Sequence, residues 1–217
     1  MIYLWLGISR LVQFLTFMEL SNIEFSVKTV AAALSIIQGS AWTIMSLISI
    51  ALFHSQPVFL SGPDSYMESV ERNIYDTFLS KDSKFLPTTT SSRSFTPDVF
   101  AGFMWVYFFL DIVWIGTAIS MLRKNSAISV KIWSYVTLFV CFWDFLTFVI
   151  LGADYDKCLE YSNMLPEWMD RVPVESLCAN IILPVFFIAA KGFVLWIINI
   201  VLALVVLRNS KQTITLK

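Results

Sequence analysis

Three ionisable residues stand inside otherwise apolar stretches of this 217-residue chain: Asp111, Asp144 and Lys191. Each sits near the middle of a run long enough to cross a bilayer core of roughly 30 Å. A lone charge at that depth costs roughly 2.5–3.5 kcal/mol on insertion scales. With the rise of about 1.5 Å per residue along a helix, the three fall at similar depth. The chemistry this offers first is mutual compensation, with Lys191 facing Asp111, Asp144 or both across a bundle interior. The second possibility is a proton or cation relay, because intramembrane acids often mark such paths. Cysteine chemistry has one candidate pair, Cys158 and Cys178. In an oxidising compartment they can close a loop of about 21 residues, worth roughly 3 kcal/mol in the chain-entropy picture. Cys141 falls within an apolar run, where a thiol behaves as a small hydrophobe.

Other chemistry is not indicated. The single histidine, His54, has no partner set for zinc. No Gly-rich phosphate loop, HExxH or GxSxG motif occurs. No enzyme, cofactor or metal is therefore expected. The net charge of −1 gives no basic face for nucleic acid. The acids Asp154, Asp156 and Glu160 near Cys158 lack EF-hand spacing and read as a solvated acidic surface.

The elements that would hold these residues follow from hydropathy. With 57% hydrophobic and 14% charged residues, the composition departs from soluble domains toward membrane proteins. The fold class expected is an all-α integral membrane protein, a four-helix transmembrane bundle. Its spans are 28–54, 99–121, 132–153 and 180–207. Residues 1–27 form an amphipathic N-terminal segment at the membrane surface, with Ser9, Arg10, Gln13 and Thr16 on one side of a helical wheel. An extra span there, or a start at Met18, are alternative readings.

The spans imply polar inner faces. Ser134, Thr137, Cys141, Asp144 and Thr147 recur at three and four in the third span. Gln38, Trp42, Ser46 and Ser49 do so in the first. Ala31, Ser35, Gly39 and Thr43, spaced by four, let another helix approach closely.

The loops set the orientation. The segment 1–27 with the adjoining Lys28, the basic loop 122–131 and the tail 208–217 hold eight Lys and Arg and only Glu19 and Glu24 as acids. The loops 55–98 and 154–179 are acidic. The positive-inside rule then places both termini in the cytoplasm and the acidic loops outside, in the plasma membrane or an endomembrane. Loop one contains a helix over 65–79, started by Pro63 and a Ser65/Glu68 capping box, with Met67, Val70, Ile74 and Phe78 on one face. A Ser/Thr/Pro tether follows over 86–97.

The layout resembles small four-span families: claudins, tetraspanins and the occludin-like MARVEL proteins. The likeness is to architecture over the whole chain. Loop one lacks the Trp-Gly-Leu-Trp signature and cysteine pair of claudins, and loop two lacks the Cys-Cys-Gly of tetraspanins. The pair Cys158 and Cys178 is similar to the occludin arrangement. The layout and the missing catalytic groups together imply a non-enzymatic accessory, organising or junction-associated tetraspan. It would act in the lipid bilayer on other integral membrane proteins or on copies of itself, with no nucleic-acid partner. The alternative is a small channel or transporter subunit using Asp111, Asp144 and Lys191.

Overall fold

A computed structural model describes residues 23–56, 66–81, 94–124, 126–164, 172–189 and 193–215. The amphipathic segment over 1–22, most of the tether and Lys191 lie outside the described residues. Among the described residues six helices are assigned: α1 (Ile23–Ser55), α2 (Tyr66–Phe78), α3 (Pro97–Lys124), α4 (Ala127–Met164), α5 (Val172–Ala189) and α6 (Val194–Thr215). Within α1, α3 and α4 lie three stretches long and apolar enough to cross a membrane, Val27–Ser55, Pro97–Lys124 and Ala127–Glu160. The chain is thus a membrane-embedded helical bundle.

Local chemistry explains where these helices begin. Pro97 opens α3, where its missing N–H is no loss. The Thr96 hydroxyl accepts from the Val99 amide at 3.4 Å, and Asp98 complements the positive end of the helix. Arg123 and Lys124 complement its other end. The Ser126 hydroxyl caps α4 by accepting from the Ser129 amide at 3.2 Å. The expected loop 122–131 is therefore mostly helix, because each end is capped within a few residues of the turn.

Three further expectations change. The fourth span, 180–207, does not run as one helix. The chain leaves α5 at Ala189 and re-enters helix at Val194, and Phe193 has φ of 57°. A bulky residue in the left-handed region cannot continue a right-handed helix. Pro184 removes a further backbone bond inside α5. The apolar stretch of α6, Val194–Arg208, is shorter than a full span.

Loop two, expected over 154–179, is largely helical. Helix α4 continues to Met164, 38 residues or about 57 Å at the usual rise, well past a bilayer core. Helix α5 already starts at Val172. Cys158 and Cys178 form a disulfide that ties the far end of α4 to α5. The last expectation to change is the end of the tether. Ser94–Thr96 is fixed, and Phe95 is fully buried against Phe100 and Phe103.

Two apolar clusters fill the bundle. Toward the end that carries Lys28, Arg123, Lys124, Lys131 and Arg208, the space between α1, α3, α4 and α6 is packed with Trp114, Trp133, Met121, Val140 and Val206. Toward the disulfide end, α2 lays Tyr75 and Phe78 onto Phe53, Phe95, Phe100 and Ile181. Its other face is polar, with an Arg72–Asp76 ion pair at 4.0 Å.

Candidate functional site

Helix faces bring the intramembrane acids inward. On α4, Ser134, Thr137, Cys141, Asp144, Thr147 and Leu151 are all buried along one stripe. On α3 the buried stripe is Tyr107, Asp111, Trp114, Ala118 and Met121. Both carboxyls are enclosed, Asp111 at 0% exposure and Asp144 at 1%. The Tyr107 hydroxyl faces Asp144 and lies within electrostatic reach of Asp111 as well. It donates to Thr147 Oγ1 at 3.0 Å, and Thr147 donates in turn to the Trp143 carbonyl at 2.9 Å.

At Gly39, among the small residues of α1, α1 packs tightly on α3. A Cβ on Gly39 would stand 2.8 Å from Ile115 Cγ1 and 3.6 Å from the Asp111 carbonyl oxygen. Ala31 and Ser35 are buried on the same stripe, and Thr43 is half-buried.

Side-chain hydrogen bonds stitch the helices together. Trp133 Nε1 donates to Ser35 Oγ at 3.1 Å, joining α4 to α1. Trp114 Nε1 donates to Thr137 Oγ1 at 2.9 Å, joining α3 to α4. Asn199 Nδ2 donates to Gln38 Oε1 at 2.9 Å, joining α6 to α1. Trp196 Nε1 donates to the Cys141 carbonyl at 2.8 Å, joining α6 to α4. Sequence reading sought the interhelical contacts among the charges and missed these indoles, because a hydropathy index counts Trp by its ring and not by its N–H. We expect Trp133→Phe and Ser35→Ala each to lower stability by about 1 kcal/mol, the usual scale for interhelical bonds in membrane bundles. A thermal-melt double-mutant cycle in detergent should give a coupling of similar size; additive losses would mean the bond contributes nothing.

The helices diverge above this stitched half. Helix α1 packs on α3 and touches α6, but among the described residues it makes no close approach to α5. A cavity of about 180 Å³ opens there. Asp144, Tyr107, Thr147, Ser46 and Ser49 supply its polar atoms, and the rest of its wall is apolar and aromatic. Ile74, Phe78 and Leu79 of α2 cap it. Met45 and Ile188, both substantially exposed on the bundle surface, flank the gap between α1 and α5. Asp111, one turn further along α3 than Tyr107, is not part of the wall. A smaller void of about 80 Å³ adjoins Asp144 and is walled by Phe145, Phe148, Phe193 and Trp196.

Asp154, expected on a solvated acidic surface, is instead buried. Its Oδ1 accepts from the Ser94 amide and its Oδ2 from the Phe95 amide, both at 2.8 Å. Lys157 Nζ stands 3.8 Å from Oδ1 and donates to Ser94 Oγ at 3.2 Å. The carboxylate thus holds the non-helical entry to α3. Asp156 and Glu160 remain exposed.

Gln56 does comparable work where α1 ends. Its φ of 44° turns the chain, its Nε2 donates to the Leu79 carbonyl at 3.0 Å, and its Oε1 accepts from the Lys81 amide at 3.1 Å. The end of α2 is thereby fastened to the end of α1. Comparison of the chain with protein-family models, with curated proteins and with solved structures finds no match.

Proposed function

We propose that the chain is a non-enzymatic tetraspan membrane protein. It acts through lateral contacts with other integral membrane proteins or with copies of itself, as an accessory, organising or junction-associated component. In this reading α1, α3 and α4 are three spans, and α5 with α6 together make the fourth. The Lys and Arg gathered at one end support a cytoplasmic position for that end and for both termini. The disulfide supports an oxidising compartment at the other end.

The observation that carries the reading is the packed half of the bundle. There the indoles and amides engage one another, and Trp114, Trp133, Met121 and Val206 fill the space between helices. A conduit needs polar surface that reaches water at both ends. The competing reading, a channel or transporter subunit using Asp111, Asp144 and Lys191, is favoured by one fact: two carboxyls are buried mid-helix.

Purified protein in proteoliposomes separates the two. We expect proton and potassium flux to equal that of empty vesicles. Flux above that level, abolished by Asp144→Asn or Lys191→Met, would establish the competing reading. For orientation, a Thr213→Cys label in a Cys141→Ser background should react with impermeant maleimide only after cells are permeabilised. Labelling of intact cells would reverse the topology.

A further inference from the structure

We infer that the cavity between α1, α3, α4 and α5 is a binding site for a small lipophilic amine that enters from the bilayer. Three observations lead there, and they are independent of any lateral partner.

The first is access. Among the described residues, the gap between α1 and α5 faces the side of the bundle, flanked by Met45 and Ile188, while α2 closes the end above it. A ligand therefore arrives from among lipid tails and must partition into them.

The second is size. An apolar cavity of about 150 Å³ in a protein core takes up benzene. The 180 Å³ here suits one ring with a short arm. It is too small for a sterol or a whole phospholipid.

The third is the chemistry of the polar end. The Tyr107 hydroxyl lies between Thr147 and Asp144 and is hydrogen-bonded to both, and Thr147 donates to the Trp143 carbonyl. Asp144 brings an acidic group to the cavity wall, and Ser46 and Ser49 add hydroxyls. A carboxylate enclosed by apolar walls selects a cationic donor by charge-assisted hydrogen bonding. Trp42, Phe78 and Phe100 stand in the wall, and an aromatic face attracts an ammonium. An anionic or purely apolar guest gains nothing from that end of the cavity.

The test uses the full chain in lipid nanodiscs and radiolabelled phenethylamine, with empty nanodiscs as the partition control. Equilibrium dialysis should show saturable binding of one molecule per chain. Phenethyl alcohol, of the same shape without the charge, should compete at least tenfold more weakly, and phenylacetate not at all. Asp144→Asn should weaken binding about 10- to 100-fold, the range expected for one charge-assisted bond. Asp111→Asn, outside the cavity wall, should weaken it far less than Asp144→Asn. Ser46→Leu, which fills the cavity without touching the carboxyl, should abolish it. No saturable binding to the wild-type chain would overturn the site. Equal competition by the alcohol would overturn the amine assignment, and that comparison needs only the wild-type protein, so a misfolded variant cannot obscure it.

Discussion

Gly39→Leu is expected to leave little folded protein in detergent, a loss above about 4 kcal/mol, on the scale that marks failed core packing. At Gly39 α1 packs tightly on α3, and even a methyl group there would stand 2.8 Å from Ile115 Cγ1. The obstacle at that distance is a side chain, and Ile115 is only half-buried. Gly39→Ala should therefore be mild. Overpacking by one methyl costs about 1–3 kcal/mol, and the gain in helix propensity returns up to about 1 kcal/mol. Leucine adds three more carbons in the direction of α3. Ile115 cannot clear that volume, and the Asp111 carbonyl oxygen, 3.6 Å from the same point, is backbone and cannot move aside. The helices must part. That separation would break the Ser35–Trp133 bond on the same stripe of α1. Adding Ile115→Ala to Gly39→Leu should restore part of the melting temperature, while Ile115→Ala alone should cost little. If Gly39→Leu melts like wild type, the close approach of α1 to α3 is not what holds the bundle together.

How far such positions were visible in the sequence depends on what kind of signal they carry. The stripe Ala31, Ser35, Gly39, Thr43 was legible because small residues at a spacing of four have a direct packing meaning. The inner face of α4 was legible too, since Ser134, Thr137, Asp144 and Thr147 interrupt an apolar run with helical period. The extent of α4 was not. Residues 154–164 are polar, so hydropathy ends the span near Ala153, but hydropathy measures lipid preference and α4 simply continues beyond the lipid. The break at Phe193 was hidden for the opposite reason. Lys191 and Gly192 just before it are outweighed by the long apolar runs on either side, and a hydropathy profile carries no φ. The cavity could not be read at all, because it arises where α1 and α5 make no close approach among the described residues. Asp144 was found as an isolated charge, but its company of Tyr107 and Thr147 comes from helix pairing, which a single sequence does not specify. Lys191, the third member of the expected charge set, lies outside the described residues, and its pairing remains the sequence-based expectation.

Asp154→Ala is expected to cost about 3–5 kcal/mol, although the residue lies among acids that composition alone would leave in water. The reason is geometric. Each carboxylate oxygen takes one backbone N–H at 2.8 Å, from Ser94 and from Phe95, and the carboxylate itself is almost wholly enclosed. A hydrogen bond to a charged group contributes roughly 1.5–3 kcal/mol, and removing the acceptor strands two donors beside a buried ring. Asp154→Asn should be nearly as harmful, because its amide turns a donor toward one of those N–H groups and keeps a single acceptor. Lys157→Ala should be milder, at most about 1 kcal/mol, because that lysine is well exposed and its ion pair at 3.8 Å is screened. Amide hydrogen exchange decides the matter. Protection at Ser94 and Phe95 should fall in both Asp154 variants and persist in Lys157→Ala. If Lys157→Ala proves as damaging as Asp154→Ala, the ion pair and not the amide clamp holds this segment. The clamp also bears on the cavity. Phe95 packs on Phe100, Phe100 packs on Phe78 with ring centres 5.1 Å apart, and Phe78 and Phe100 both line the cavity that α2 caps. Releasing Phe95 should therefore loosen the cap, and Asp154→Ala should weaken phenethylamine binding without altering any group that touches the ligand.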